Sequence, residues 1–129
     1  MDRIVYSSIA AKSTDTPDVF EIVEVSARNN PKRGVTGFLL YDADRFLQMI
    51  EGPALSLQAL LEDIEADPRH HTIEVLHRSA ADERWFPDWE MKHLISFSAE
   101  PALEELRRKL STKPGGPEIF ALVDDFLLK

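Results

Sequence analysis

Val35-Thr36-Gly37-Phe38-Leu39-Leu40-Tyr41-Asp42-Ala43-Asp44-Arg45-Phe46-Leu47-Gln48-Met49-Ile50-Glu51 is the stretch that decides the fold. Two short apolar runs, Val35 to Tyr41 and Phe46 to Glu51, flank the turn-forming cluster Asp42-Ala43-Asp44. Runs of that length around a polar turn predict a β-hairpin. Upstream, Arg3 to Ala10 alternates weakly and is rich in β-branched and aromatic types, which predicts a first strand. Ser13-Thr14-Asp15-Thr16-Pro17 is a helix-start signal, and Val19, Ile22 and Val23 continue at helical spacing toward Ala27. Asn29-Asn30-Pro31 stops that helix, because proline disfavours helical geometry in the residue before it.

Downstream, Gly52-Pro53 punctuates, and Leu57, Leu60, Leu61 and Ile64 mark one face of a second helix that ends at Asp67-Pro68. Ile73 to His77 and Trp89 to Ile95 read as a fourth and a fifth strand. The order β-α-β-β-α-β-β predicts an α+β fold on the ferredoxin-like plan, with two helices on one face of a sheet. Leu103, Leu106 and Leu110 then mark a short helix. After Pro114-Gly115-Gly116-Pro117, a second is marked by Ile119, Phe120, Val123, Phe126 and Leu127. Their apolar stripes need cover, which the free face of the sheet or a partner protein would supply.

The chain of 129 residues suits one compact domain, and 43% hydrophobic with 29% charged residues is the balance of a globular fold. Fifteen Lys and Arg against 23 Asp and Glu leave a net charge of −8, which argues against nucleic acid or an anionic membrane as partner. There is no cysteine, so disulfides, thiolate catalysis and zinc–sulfur sites are excluded. No apolar run approaches the roughly 20 residues of a membrane span. Met1-Asp2-Arg3-Ile4 carries no signal-peptide pattern, and a cytoplasmic location is expected. His70-His71, His77 and His93 lack metal spacing, no glycine-rich phosphate loop is present, and no nucleophile elbow appears. Glu62, Asp63, Glu65 and Asp67 read as the solvated face of the second helix.

The informative residues are polar ones where the strand pattern predicts burial. Gln48 has apolar neighbours on both sides along its own face, and an unsatisfied buried amide costs roughly 1–3 kcal/mol. It is either bonded within the core or meets a ligand. Tyr6 lies mid-strand between Val5 and Ser7, where its ring would pack and its hydroxyl would seek a partner. Asn29 and Asn30 suit a helix C-terminus, and their amides equally suit the imide edge of a ligand. Trp89 and Met91 fall two apart on one face of the last strand, where two apolar residues are more often core than cofactor contacts.

Together these residues resemble the BLUF family of blue-light sensors using FAD. The likeness runs in order through Arg3-Ile4-Val5-Tyr6-Ser7-Ser8, Arg28-Asn29-Asn30-Pro31 with Gly34-Val35-Thr36-Gly37, and Phe46-Leu47-Gln48-Met49-Ile50-Glu51-Gly52. It continues through Asp67-Pro68-Arg69-His70 and Arg84-Trp85-Phe86-Pro87-Asp88-Trp89-Glu90-Met91. The resemblance implies a sensor module over residues 1–97 and a helical extension over 98–129. It implies FAD as cofactor, Tyr6 as electron and proton donor to the excited flavin, and Gln48 as the hydrogen-bonding bridge between them. Asn29 and Asn30 would hold the polar edge of the ring, Ile22 would pack on it, and Arg69 would reach its outer part. Trp89 and Met91 would exchange contacts when Gln48 changes. Asp63 departs from the pattern, standing where relatives place a basic residue toward the flavin.

The expected function is therefore a non-enzymatic blue-light receptor that signals to a separate effector protein and self-associates. Roughly 30 residues beyond the sensor could not house a catalytic domain. Two other readings fit the same fold plan: an acylphosphatase-like hydrolase, and a non-photochemical ligand-binding module with Tyr6 and Gln48 as plain core residues.

Overall fold

The structure, a computed structural model, describes residues 1–10, 34–42, 45–68, 70–87, 90–95 and 100–128. The elements are β1 (Asp2–Ala10), β2 (Thr36–Asp42), β3 (Arg45–Gly52), α1 (Ala54–Ala66), β4 (His70–Ala80), β5 (Glu90–Ile95), α2 (Glu100–Ser111) and α3 (Gly116–Leu128). The expected helix before Ala27 lies outside the described residues, as do Ile22, Asn29, Asn30, Arg69 and Trp89.

Five strands form one sheet in the order β4-β1-β3-β2-β5. Strand β1, between β4 and β3, is antiparallel to both, β2 is antiparallel to β3, and β5 joins the far edge parallel to β2. The first four strands have the ferredoxin-like arrangement. The hairpin closes tightly, with Asp42 opposite Arg45.

Alternate residues of the strands feed two separate cores, as a period of two demands. On one face Ile4, Tyr6, Leu39, Phe46 and Ile50 pack against Leu57, Leu60 and Leu61 of α1. On the other, Val5, Phe38, Leu40, Leu47 and Met49 meet Leu106 and Leu110 of α2 and Ile119, Phe120, Val123 and Phe126 of α3. The apolar stripes of the two tail helices thus cover the sheet face that α1 leaves free. Each fully buried Leu or Phe contributes about 1.5–3 kcal/mol, so the tail helices have no reason to detach into solvent. α2 and α3 meet closely at Gly116, where an added Cβ would lie 1.9 Å from the Leu110 carbonyl oxygen.

Helix α1 starts at Pro53, whose carbonyl accepts from Leu57 N at 3.0 Å, and stops where Asp67 N donates to Ile64 O at 3.1 Å before Pro68. Strand β4 is more than twice as long as Ile73 to His77. Its 11 residues span the nine of β1 through two register shifts, and Thr72 takes a left-handed φ of 55° at one of them. Each irregularity inverts the in–out alternation, so the sequence reads as a strand only over Ile73 to His77, a run that itself crosses the shift at Leu76.

Candidate functional site

The site begins with register. Tyr6 of β1 stands directly opposite Gln48 of β3, and Leu39 of β2 flanks Gln48 on its other side. Directly opposed residues of antiparallel strands carry Cβ atoms about 4.5–5.5 Å apart on the same face. Phe46 and Ile50 precede and follow Gln48 along that face, and α1 supplies Leu57, Leu60 and Leu61. Both polar side chains are buried, with 2% of Tyr6 and 4% of Gln48 exposed. Ser8, two residues beyond Tyr6 on the same face, is buried as well and was passed over by the sequence reading.

Burial pushes the Tyr6 phenol well above the ordinary tyrosine range, because a phenolate there would lose its hydration. Tyr6 is therefore a neutral hydrogen-bond donor at any working pH. An apolar wall bearing a phenol and a primary amide is the lining expected for a planar heteroaromatic ligand with few polar atoms. The donor set thus fits the ring of a flavin. Asp63 is exposed on α1, with Glu62 and Glu65 exposed beside it.

Met91 lies within β5 at a break in its ladder. Gly37 pairs with Glu90, yet Phe38 pairs with Lys92, so Met91 is the extra residue of a bulge. Opposite it, Gly37 has φ of 148° and a position where a Cβ would lie 1.9 Å from the Met49 carbonyl oxygen, so no other residue fits.

The other face holds what sequence reasoning missed. Glu51, fully buried, accepts at Oε2 from Arg3 Nε (3.2 Å) and Trp85 N (3.0 Å), and at Oε1 from Phe86 N (2.6 Å) and the Thr36 hydroxyl (3.4 Å). The Arg3 guanidinium lies 3.5 Å from the Trp85 ring centroid and donates to Glu83 O at 2.8 Å. Burial lowers its pKa, and the Glu51 carboxylate opposes that shift. Arg84 donates to Thr36 Oγ1 (3.0 Å), Glu51 O (3.1 Å) and Gly34 O. The signal was available by counting: if Tyr6 opposes Gln48, three steps outward place Arg3 opposite Glu51.

Among the described residues no cluster of His, Cys, Asp and Glu could hold a metal ion. None of the described helices is long and apolar enough to cross a membrane.

Comparison with known proteins agrees with this geometry. Residues 1–92 match the family model described as BLUF, sensors of blue-light using FAD. Photoactivated adenylate cyclase subunit beta of Euglena longa is 34% identical over 108 residues, covering 81% of this chain and 13% of the relative. The blue light- and temperature-regulated antirepressor BluF of Escherichia coli K12 is 31% identical over 86 residues, 67% of this chain and 21% of that protein. The chain thus spans a minor part of these curated relatives. Among solved structures, the dark state of BlrB, a BLUF protein, superposes with a TM-score of 0.74 at 30% identity, covering 91% of this chain and 89% of that one. Klebsiella pneumoniae BlrP1 with FMN and cyclic diGMP gives 0.83 at 28% identity, covering 99% of this chain and 34% of that one. A chain matched over most of its length by the family model, with its tyrosine and glutamine side by side on the sheet, belongs to the BLUF family, sensors of blue light that use FAD.

Proposed function

We propose that Tyr6 and Gln48 form the photochemical pair, that β5 and the tail helices carry the change outward, and that a separate effector protein reads it. The observation that supports this reading is the direct opposition of Tyr6 and Gln48, both buried, in an otherwise apolar face. Bound FAD supplies blue-light absorption and, once excited, an acceptor for an electron and a proton. Tyr6 holds a proton that burial prevents it from losing to solvent. Gln48 can present either end of its amide, so it reverses donor and acceptor without leaving a charge behind. Asn29, Asn30, Ile22, Arg69 and Met91 are the further residues assigned to holding FAD, and Trp89 together with Met91 to the switch. The bulge at Met91 supports that last assignment, since an unpaired strand residue moves at little cost to its ladder.

In this reading the chain itself catalyses no reaction on a substrate. The photoactivated cyclases it resembles are several times longer than the stretch they share with it. Self-association and a cytoplasmic location complete the proposal. Val75 (50% exposed), Leu76 (37%) and Ile9 (38%) leave apolar surface on β4 and β1 that a second copy would cover.

The test is an absorption spectrum of the FAD-loaded protein in darkness and under blue light. A small, reversible red shift is expected in the wild type. Gln48→Leu and Tyr6→Phe should keep the flavin and lose that shift. A normal shift in Gln48→Leu would overturn the pair.

A further inference from the structure

We propose that Glu51 is the fixed anchor of the light-driven switch, a positioning residue that clamps the β4–β5 loop so that movement of β5 is delivered to α2 and α3. The inference rests on the photoreceptor reading above and adds to it the question of where the moving strand is held.

Glu51 lies three residues from Gln48 on the same strand but points to the opposite face, so it touches no part of the photochemical site. Its two oxygens take the backbone amides of Trp85 and Phe86, one each. Those are consecutive residues in the loop that leads into β5. Arg84 ties the same loop to the Gly34 and Glu51 carbonyls, and Phe86 packs edge-on against Phe38 at 5.7 Å between centroids. From side chain and backbone together, four consecutive loop residues are fastened to the sheet, Glu83 to Arg3 of β1 and Arg84, Trp85 and Phe86 to β2 and β3.

Trp89 follows Phe86 by three steps of the chain, a reach of at most about 11 Å. Beyond the clamp comes the Met91 bulge, where the ladder already holds one residue of slack. A strand fixed at its entry and slack next to it cannot shift backward into the loop. Any change in its register has to appear at its exit, Ile95, five residues ahead of the start of α2 at Glu100.

A carboxylate suits this task and an amide does not. Four donors converge on Glu51, two per oxygen, and a glutamine would turn an NH2 toward two of them. Glu51→Gln therefore loosens the loop with almost no change in volume.

The experiment follows amide hydrogen exchange of the FAD-loaded full chain, dark and lit, together with the light-induced spectrum. In the wild type the Trp85 and Phe86 amides should stay protected in both states while exchange in α2 and α3 changes with light. In Glu51→Gln those two amides should exchange about tenfold faster in darkness, the value of one lost hydrogen bond. The red shift should keep its amplitude, and the light response of α2 and α3 should fall below about half. An undiminished response with a loosened loop would overturn the anchor, as would loss of Trp85 and Phe86 protection on illumination of the wild type. If Glu51→Gln does not fold, Arg84→Met loosens the same loop from its other side and carries the same expectation at roughly threefold. A wild type without any red shift would instead overturn the underlying photoreceptor reading, and the anchor with it.

Discussion

The two faces of the sheet bury polar groups of different kinds. Toward α1 the described buried polar groups are neutral: the Tyr6 phenol, the Ser8 hydroxyl and the Gln48 amide. Toward the tail helices they include a charge pair, with Arg3 and Glu51 opposed across β1 and β3 and the Thr36 hydroxyl bonded to the carboxylate. A neutral donor–acceptor group can turn over in an apolar wall at the cost of a hydrogen bond or two. A buried ion pair resists any change, because separating it exposes each charge to a medium that cannot solvate it. Three residues of one strand thus separate a region able to rearrange from one built to stay.

The largest test of this contrast is Glu51→Ala. Arg3 would keep its burial without its carboxylate, and the Trp85 and Phe86 amides would lose their acceptor. A loss of about 3–5 kcal/mol is expected in urea denaturation, and a loss near 1 kcal/mol would erase the distinction between the faces. Alkaline stability comes next. The Tyr6 phenol is held neutral in the fold, so its contribution is complete below the unfolded tyrosine value of about 10 and falls as pH rises above it, by about 1.4 kcal/mol per pH unit. Tyr6→Phe should flatten the stability–pH curve by that slope between about pH 10 and 11.5, and an unchanged slope would mean the ring is not desolvated. Gln48→Leu should cost about 1–2 kcal/mol in the flavin-free protein, since the volume is kept while the polar interactions of the amide are lost. A cost matching that of Glu51→Ala would place the glutamine among the fixed groups. Arg78→Ala probes the smallest effect. Its 3.2 Å bond to Asp2 lies at the surface with half the arginine side chain exposed, and its loss should change stability by less than about 0.5 kcal/mol.

How much of this the sequence disclosed depended on whether a feature was local. Leu57, Leu60 and Leu61 announced α1, and the hairpin showed itself in two runs around one turn, because both patterns lie within a few residues. Gln48 stood out because an amide inside Phe46–Ile50 contradicts its surroundings. Strand β4 was legible only over Ile73 to His77, because its two irregularities break the alternation over its length. Arg3 and Glu51 did not stand out at all. Charged residues near strand ends ordinarily face water, and only the cross-strand register reveals that these two neutralise one another at 4% and 0% exposure. The stripe on α2 and α3 signalled burial, but which surface received it became visible only in the assembled sheet.

The interior position of β1, between β3 and β4, has a consequence for how the chain is made. Its neighbours in the sheet arrive late: Ile9 waits for Arg45, and Asp2 pairs with Gly52 on one side and Ala80 on the other. At ordinary translation rates the intervening stretch of about 80 residues takes roughly 4–16 s to synthesise. Until β3 is made, more than halfway through that interval, the strand has no neighbour to hydrogen-bond, and its second neighbour arrives only with β4. Folding must then close a long loop before it gains most contacts, which makes it slow for a domain of this size. The flanking Asp2 and Arg3 and the Ser7-Ser8 pair keep that waiting segment polar enough to discourage association with other nascent chains.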